Sequence, residues 1–422
     1  MIVEVPEFTR VEGNGRAKVI IEGGEVKGVK LEIVEGPRFF ELMTLGRYYY
    51  DVPDLEARIC AICYLSHTVA SAMAIEDAFN VRVPEEVSLL RELGLLGEMI
   101  ESHALHLYFL VAPDVFGYPD AIEMAGKHAS LVKEGFSVKS FGNVIRRMIG
   151  GREIHGINVK PGGFARYPSV EEMETLESRT DEVMEAVEKL PGMFASVEPY
   201  GSRASVLVAT SGYLWGDGLI SNAWEGVADY SSKIEERSLD YSFAKQSLVE
   251  GSVPMVGALA RALLKSDSLT PRAREVFNEY REKLGEGYAS YNNLAQAIEL
   301  VHAVDRAGEI MRWLVDNGIT GENAQVDVAE GEGVGYVEAP RGVLIHHYRI
   351  NEEGNVTYSN IITPTAINHA MTESSLYREA TNWYGKVPED ELKRRLEMTV
   401  RAFDPCISCS VHLAQLSPNR SS

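Results

Sequence analysis

Two Cys-x-x-Cys pairs at opposite ends of the chain constrain its fold more than any other feature of the sequence. Cys60 and Cys63 form one pair, Cys406 and Cys409 form the other, and these are all the cysteines among 422 residues. A Cys-x-x-Cys turn places both sulfur atoms on one side of a tight bend, so that they can chelate one metal ion. Two such turns supply four thiolates, a donor set that suits zinc, iron or nickel. The spacing therefore predicts a four-thiolate metal site to which both ends of the chain contribute.

Other interpretations of the cysteines stay open from spacing alone. A structural zinc site normally draws its two pairs from nearby sequence, whereas these pairs lie far apart. A dithiol–disulfide redox site needs only one Cys-x-x-Cys motif and leaves the second unexplained. Inert buried cysteines have no reason to share one spacing. A histidine also follows each pair, His67 after the first and His412 after the second, and these parallel positions indicate ligands or hydrogen-bond partners of ligands.

Composition excludes several classes of protein. The formal net charge is −21 and no Lys/Arg-rich block is present, which argues against binding to nucleic acid. No apolar run approaches the ~20 residues that a membrane span needs. The N-terminus lacks the basic and apolar regions of a secretory signal. We therefore expect a cytoplasmic protein with no membrane span.

Hydrophobic patterning predicts β-structure at both ends of the chain and helices between them. Alternation is typical of strands, whereas apolar residues at three- and four-residue intervals indicate helices. The strand-rich segments are predicted at 2–36 and 334–365, and the helical segments at 54–111, over most of 120–315 and at 391–403. Pro113 is expected to end the first long helix. Because no linker or repeat divides the chain, we expect one large α+β domain, with a central bundle of long helices and β-rich N- and C-terminal segments.

Both cysteine pairs lie in segments that resemble a known family. RICAICYLSH and DPCISCSVH resemble the two signature motifs of the large, catalytic subunit of nickel–iron hydrogenases. Further segments agree with the family over essentially the whole chain: Arg10-Val11-Glu12-Gly13, EGPRFFE at 35–41, Pro340-Arg341-Gly342 and Pro364-Thr365. EGPRFFE and IESHALHLY look most like the soluble cytoplasmic branch, which couples to NAD(P) or sulfur reduction in heterotetramers.

The resemblance implies a nickel–iron centre held by all four cysteines. Cys60 and Cys406 would be terminal ligands of nickel. Cys63 and Cys409 would bridge nickel to an iron that carries one carbon monoxide and two cyanide ligands. Dihydrogen would be split heterolytically, with a nearby base taking the proton.

The resemblance also gives roles to polar residues around this centre. Glu12 would accept the proton from the thiolate of Cys406. Arg341 would place its guanidinium over the open metal position and donate to a cyanide, with Asp404 as its partner. Ser102 stands where many membrane-bound relatives carry an aspartate, so no carboxylate role is implied at that position.

Further residues complete the expected site. Thr365 would hydrogen-bond the second cyanide beside Pro364, and Arg58 would belong to the same polar surroundings. Glu41 and His412 would bind a magnesium ion, with a backbone carbonyl and waters as its other ligands. In the segment IESHALHLY, His103 and His106 are expected to be packing or polar residues rather than metal ligands.

The implied function is that of an oxidoreductase acting on hydrogen. Because all four cysteines are committed and no GxGxxG motif is present, iron–sulfur clusters, FAD and NAD(P) are expected only on partner subunits. Those partners would be an iron–sulfur small subunit, then flavin/NAD(P)-binding and ferredoxin-like subunits in a heterotetramer. Two alternatives are a non-catalytic scaffold subunit of the quinone-oxidoreductase type, whose members have generally lost the cysteine pairs, and an unrelated four-thiolate zinc or redox protein.

The end of the chain carries a further expectation. In most of the family a maturation endopeptidase cleaves after the histidine of the second motif. The resemblance therefore predicts a hydrogenase domain at 1–412 and a tail at 413–422 that is removed on maturation.

Overall fold

The computed structural model describes residues 2–411. The strands are β1 (Ile2–Val5), β2 (Gly15–Glu22), β3 (Glu25–Ile33), β4 (Val159–Lys160), β5 (Gly163–Phe164), β6 (Val206–Thr210), β7 (Trp215–Gly216), β8 (Leu219–Ser221), β9 (Trp224–Ala228), β10 (Ile234–Arg237), β11 (Gln246–Val249), β12 (Pro254–Met255), β13 (Gly331–Ala339), β14 (Gly342–Ile350) and β15 (Val356–Ile362). The helices are α1 (Phe40–Thr44), α2 (Val52–Glu56), α3 (Tyr64–Ala78), α4 (Glu85–Ala104), α5 (Ala112–Phe116), α6 (Ala121–Ala125), α7 (Ala129–Gly150), α8 (Val170–Glu177), α9 (Thr180–Val187), α10 (Leu190–Ala195), α11 (Ala258–Leu264), α12 (Pro271–Gly285), α13 (Tyr291–Asn317), α14 (Pro364–Trp383) and α15 (Glu389–Arg401).

Long helices form the centre of the molecule. Helix α4 packs against both α7 and α13, and small residues let α4 and α7 approach closely. A Cβ atom added to Gly142 would lie 2.6 Å from the backbone nitrogen of Glu101. The expectation that Pro113 ends the first long helix was wrong. The chain continues from α4 through a π-helical segment, Leu105–Val111, into α5, where Pro113 occupies the first turn. Proline is tolerated there because no partner is needed for its missing N–H.

Two antiparallel sheets flank the helices. Strands β1-β2-β3 form the N-terminal sheet, which packs against α14 and α15, and β15-β14-β13-β7 form a second sheet against α3. Alternate residues of β13 are glycine, and they lie directly on the backbone of α3. A Cβ atom added to Gly335 would come 2.0 Å from the carbonyl oxygen of Ala70. The glycines therefore set α3, and the cysteine pair at its start, close against this sheet.

One segment of the predicted helical centre is β-structure. Residues 206–255 hold the sheet β12-β6-β8-β9 and the hairpin β10-β11, so the helical prediction over 120–315 was wrong there. These strands have two to five residues, and the apolar run of β6 has no alternation that separates a buried strand from a buried helix. The α+β class and the single domain with a helical centre are confirmed. No helix within residues 2–411 combines the length and the apolar character that a membrane crossing requires.

Candidate metal centre

The two Cys-x-x-Cys pairs meet in the core. The first pair lies in the loop that leads into α3, and the second follows α15. The Sγ atoms of Cys60 and Cys406 are 3.3 Å apart, as are those of Cys63 and Cys409. All four Sγ atoms lie within 4.8 Å of one another and all four residues are buried. Within residues 2–411 this is the only group of three or more Cys, His, Asp or Glu side chains gathered closely enough to hold a metal.

Hydrogen bonds from other segments fix the first cysteine loop. The backbone N–H groups of Ile62 and Cys63 both donate to Cys60 Sγ at 3.3 Å. The buried Arg146 guanidinium donates from Nη2 to the carbonyls of Ala61 and Ile62, at 2.8 Å each. Glu98 accepts the N–H of Leu65 at 2.7 Å. These contacts tie the loop to α4 and α7, because a backbone without regular structure still needs partners for its polar groups.

The second cysteine loop is held between the N-terminus of α14 and an N-terminal segment. Thr365 Oγ1 accepts the N–H of Cys406 at 2.9 Å. The backbone of Glu12 pairs in parallel with Cys406, and the N–H of Ile407 donates to the carbonyl of Glu12 at 3.1 Å. Arg38 bridges the two ends of the chain. Its N–H donates to the carbonyl of Val411 at 2.9 Å, and its guanidinium bonds the carbonyls just before the first pair.

Burial and mutual hydrogen bonds move the pKa values of the four thiols in different directions. Hydrogen bonds from Cys406, Cys409 and Cys63, together with the charge of Arg341, lower the pKa of Cys60. Burial raises the pKa values of Cys406 and Cys409 well above the usual range. Four thiolates cannot coexist in this volume without a metal, and metal binding must therefore release protons from the cluster.

Arg341 and Asp404 form a buried ion pair beside the sulfurs. Arg341 occupies the turn between β13 and β14, and its Nε donates to the carbonyl of Asp404 at 2.8 Å and its Nη2 to Oδ1 at 3.1 Å. Its third nitrogen, Nη1, is buried with no hydrogen-bond partner among the described residues. Burial opposes ionisation of Asp404, but the charge of Arg341, together with His106, His103 and a hydrogen bond from Gln296, lowers the pKa of that carboxyl. The guanidinium thus keeps one donor available at the centre.

Glu12 lies at the second cysteine loop as predicted from the motif. Its carboxylate accepts the N–H of Ser408 at 3.1 Å and the hydroxyl of Ser408 at 2.5 Å. Arg10, two residues before Glu12, pairs with Asp114 and not with Glu12. Glu35 was missed by sequence reasoning. Its Oε2 is buried without a partner among residues 2–411, and burial followed by the charge of Glu12 raises its pKa.

Three other predicted residues have different outcomes. Thr365 and Pro364 are buried in the first turn of α14, where backbone N–H groups have no partner within the helix. Thr365 Oγ1 accepts the N–H of Cys406, so the proton of the Thr365 hydroxyl remains available for a second bond. Arg58 is exposed, and its side chain has no hydrogen bond or ion pair in the described part of the chain. Its backbone N–H donates to the carbonyl of Leu55, and its carbonyl accepts from Arg38. The structure does not bring its guanidinium to the cysteines.

The predicted magnesium site is only partly described. Glu41 is fully buried in α1, and its Oε1 accepts the N–H of Ile361 at 2.9 Å. Lys245 Nζ lies 3.4 Å from Oε1, while Oε2 is buried with no partner among residues 2–411. Burial raises the pKa of Glu41. The second predicted ligand, His412, and the tail at 413–422 lie outside the described residues.

His67 and His106, both singled out in the sequence, serve as hydrogen-bond partners. His67 Nδ1 lies 3.0 Å from His346 Nε2, and burial lowers the pKa of His67 to about 4. His106 bonds Gln296 and the carbonyl of Arg401, as expected of a polar residue rather than a ligand.

Sequence reasoning also missed a set of buried charged residues around the centre, namely Arg146, Arg261, Glu299 and Glu338. Their only local signal is a charge within an otherwise apolar run, as in GALARALL and AIELV.

Comparison with known proteins covers both cysteine pairs. The family model of nickel-dependent hydrogenases matches residues 38–146 and 203–412. Sulfhydrogenase 2 subunit alpha from Pyrococcus furiosus is 57% identical over 99% of this chain and 100% of its own length, and sulfhydrogenase 1 subunit alpha from that organism is 36% identical over 98% of both chains. The crystal structure of a NAD+-reducing NiFe-hydrogenase in the H2-reduced state matches with a TM-score of 0.88 and 27% identity, over 98% of this chain and 99% of the other.

Proposed function

The chain belongs to the nickel-dependent hydrogenase family, and we propose that it works as the catalytic subunit of a nickel–iron hydrogenase, converting dihydrogen into two protons and two electrons and back. The observation that carries this function is the single buried cluster of four cysteines. A scaffold subunit of the quinone-oxidoreductase type has no use for this cluster, and a zinc or redox protein would not share the family's fold along the whole chain.

The residues present fit a nickel–iron pair. Four soft thiolates suit nickel and iron. We assign Cys60 and Cys406 as terminal nickel ligands. Cys63 and Cys409, whose sulfur atoms are 3.3 Å apart, are assigned as the bridging ligands. Nη1 of Arg341, which has no partner in the described part of the chain, supplies a donor for a small anionic ligand beside the cysteines.

When bound, the nickel–iron centre supplies the redox and polarising chemistry that splits dihydrogen heterolytically. This chain's own residues receive the proton. Glu12 is the first carboxylate beside the cysteine loop, held by Ser408, and we assign it as the acceptor of the proton from Cys406. Glu35, whose buried Oε2 has no partner among residues 2–411 and which lies close enough to Glu12 to respond to its charge, is the next titratable group that we propose for the proton.

The polar residues orient the diatomic ligands. Arg341, which Asp404 holds in place, would donate to one cyanide. The hydroxyl of Thr365 and the free N–H groups of the first turn of α14, which Pro364 begins, suit the second cyanide, because helix N-termini attract anions. The carbon monoxide needs no donor.

We assign Glu41 to a magnesium ion. Its buried Oε2, which has no partner among residues 2–411, is an oxygen donor of the type that magnesium prefers. His412 is the second proposed ligand. We also propose a domain of residues 1–412 and removal of 413–422 by a maturation endopeptidase.

Electrons must leave through other subunits. The four cysteines of the chain are all used at the centre, so we propose an iron–sulfur small subunit, with flavin/NAD(P)-binding and ferredoxin-like subunits beyond it. We propose NAD(P), and sulfur or polysulfide, as the acceptors of a cytoplasmic complex. The relatives named sulfhydrogenase and NAD-reducing hydrogenase support sulfur and NAD among these acceptors.

Metal analysis combined with isotope exchange tests the function. The complex purified without oxygen should contain nickel and iron and should exchange deuterium gas with water protons. Infrared bands of carbon monoxide and cyanide should accompany the metals. A complex that contains only zinc, or no metal, and shows no exchange would overturn the assignment.

A further inference from the structure

A cluster of buried charges lies behind the turn that carries Arg341. The side chains of Arg261, Glu299 and Glu338 have no solvent exposure. Arg261 bonds Glu299 in a fork, from Nε to Oε1 at 2.6 Å and from Nη2 to Oε2 at 2.7 Å, and its Nη1 bonds Glu338 Oε2 at 2.8 Å. The cluster therefore joins α11, α13 and β13 by charge-assisted hydrogen bonds.

The same guanidinium also holds the turn itself. Arg261 Nη1 donates to the carbonyl of Ala339 at 3.1 Å, and Nη2 donates to the carbonyl of Pro340 at 3.0 Å. These are the two residues directly before Arg341. All five N–H groups of Arg261 are thus used, three on carboxylates and two on the turn, which is the full capacity of this side chain.

The turn has little freedom on its other side. Gly342 adopts φ +130°, and a Cβ atom there would lie 2.7 Å from the backbone nitrogen of Gly257. Glu338 is fixed as well, because its Oε1 accepts the N–H of Thr210 at 2.8 Å. The turn is therefore held by Arg261 of α11 on one side and by Gly257, just before α11, on the other, and Arg341 lies in this turn.

Stability alone does not explain buried charges of this kind. A buried ion pair loses much of its Coulomb energy to desolvation, and apolar residues of similar volume often stabilise a core at least as much as the ion pair does. Apolar side chains cannot donate to the two turn carbonyls, whereas the rigid fork of an arginine can do so while it binds two carboxylates. The five-bond arrangement therefore favours a role in placing the turn.

We propose that Arg261 is a positioning residue for Arg341: by binding the carbonyls of Ala339 and Pro340, it fixes the turn from which the Arg341 guanidinium reaches the cysteine centre. The proposal rests on the proposed function, in which Arg341 acts at that centre. Glu299 and Glu338 act through Arg261 as its anchors. Burial opposes ionisation of Glu299, but the charge and hydrogen bonds of Arg261, together with His103, lower the pKa of Glu299 far below its usual range, so Glu299 stays ionised as an anchor for Arg261.

Arg261→Lys tests this role, and Arg91→Lys is its matched control. Arg91 is also buried, binds Glu76 in a fork at 2.8 and 2.6 Å, and donates to the carbonyl of Lys160 at 3.1 Å, without contact to the cysteine centre or the turn. Each lysine variant keeps the charge and loses the fork. Both should lower the melting temperature of the assembled complex.

Three measurements separate positioning from stability. Deuterium uptake of the peptide 336–346 should rise in Arg261→Lys and stay at the wild-type level in Arg91→Lys. The kcat for hydrogen oxidation should fall on the order of 10- to 100-fold only in Arg261→Lys, since small misplacements cost this much, while KM for hydrogen and the nickel content stay unchanged. If Arg261→Lys does not assemble, Glu338→Gln, which keeps the shape, is measured in the same way.

A double-mutant cycle completes the test. Because Arg261 acts through Arg341, Arg261→Lys should add little to the loss of kcat in an Arg341→Lys background. The proposal would be overturned if the losses of kcat from Arg261→Lys and Arg341→Lys multiply in the double variant. Unchanged deuterium uptake of the turn in Arg261→Lys would also overturn it. Absence of hydrogenase activity in the wild-type complex would overturn the proposed function instead, and the deuterium uptake would still report on the turn.

Discussion

Arg341→Lys is the substitution whose consequences the geometry defines most sharply. In the native site one guanidinium makes two bonds to Asp404, through Nε and Nη2, and keeps Nη1 free at the cysteines. Lysine offers a single ammonium group on a flexible stem. That group can stay with the Asp404 carboxylate or turn toward the metals, but it cannot do both.

The magnitudes follow from the bonds that are lost. Loss of one preorganised donor at a reacting centre lowers kcat by about 100- to 1,000-fold, or about 2.7–4 kcal/mol. The carbonyl of Asp404 also loses its partner in a buried position, which costs about 1–3 kcal/mol of folding stability. Native domains have about 5–15 kcal/mol of stability, so the variant should still fold and take up its metals.

Isotope exchange measured together with metal content provides the assay. The variant should contain wild-type nickel and iron, keep its infrared bands with small shifts, and show the predicted loss of exchange. Arg91→Lys, which changes an equally buried fork remote from the centre, should exchange at the wild-type rate. A wild-type rate in Arg341→Lys at full nickel occupancy would refute the placement of the guanidinium over the metals.

Four further outcomes are expected. Glu12→Gln should keep the metals but lose exchange activity by orders of magnitude, because an amide cannot accept the proton; wild-type exchange would mean another exit. Cys60→Ser or Cys406→Ser should lose nickel, measured by metal analysis, and normal content would contradict the ligand assignment. Burial lowers the pKa of His369 to about 4, so between about pH 6.5 and pH 4 the unfolded chain binds a proton at this residue and the folded chain does not. The free energy of unfolding should therefore fall by about 1.4 kcal/mol per pH unit as the pH drops through this range. In urea denaturation, His369→Gln should show a shallower dependence of this free energy on pH than the wild type, and an equal dependence would refute the shift. Intact mass spectrometry of nickel-loaded protein should give a chain that ends at His412, whereas an active chain with Ser422 would show that the tail is kept.

Local sequence determined the elements that need only a few neighbouring residues. A Cys-x-x-Cys turn is a property of four residues, so the two pairs predicted a shared thiolate site before any fold was known. Alternation in β2 and β3, and the amphipathic pattern of α13 and α15, likewise predicted their structure, because burial of one face has a fixed period in each element. The motif segments also singled out Glu12, Arg341 and Asp404 as candidate site residues.

Tertiary structure decided what depends on contacts between distant segments. Whether Pro113 ends a helix or lies in the first turn of the following helix depends on packing around the π-helical segment. The short strands at 206–255 form because neighbouring strands supply their hydrogen-bond partners and neighbouring elements bury their side chains. Arg58 belongs to a motif and is exposed, whereas Arg261 belongs to none and binds the turn before Arg341. A charged side chain takes the partners that the fold brings within reach, and no local pattern encodes which partners those are.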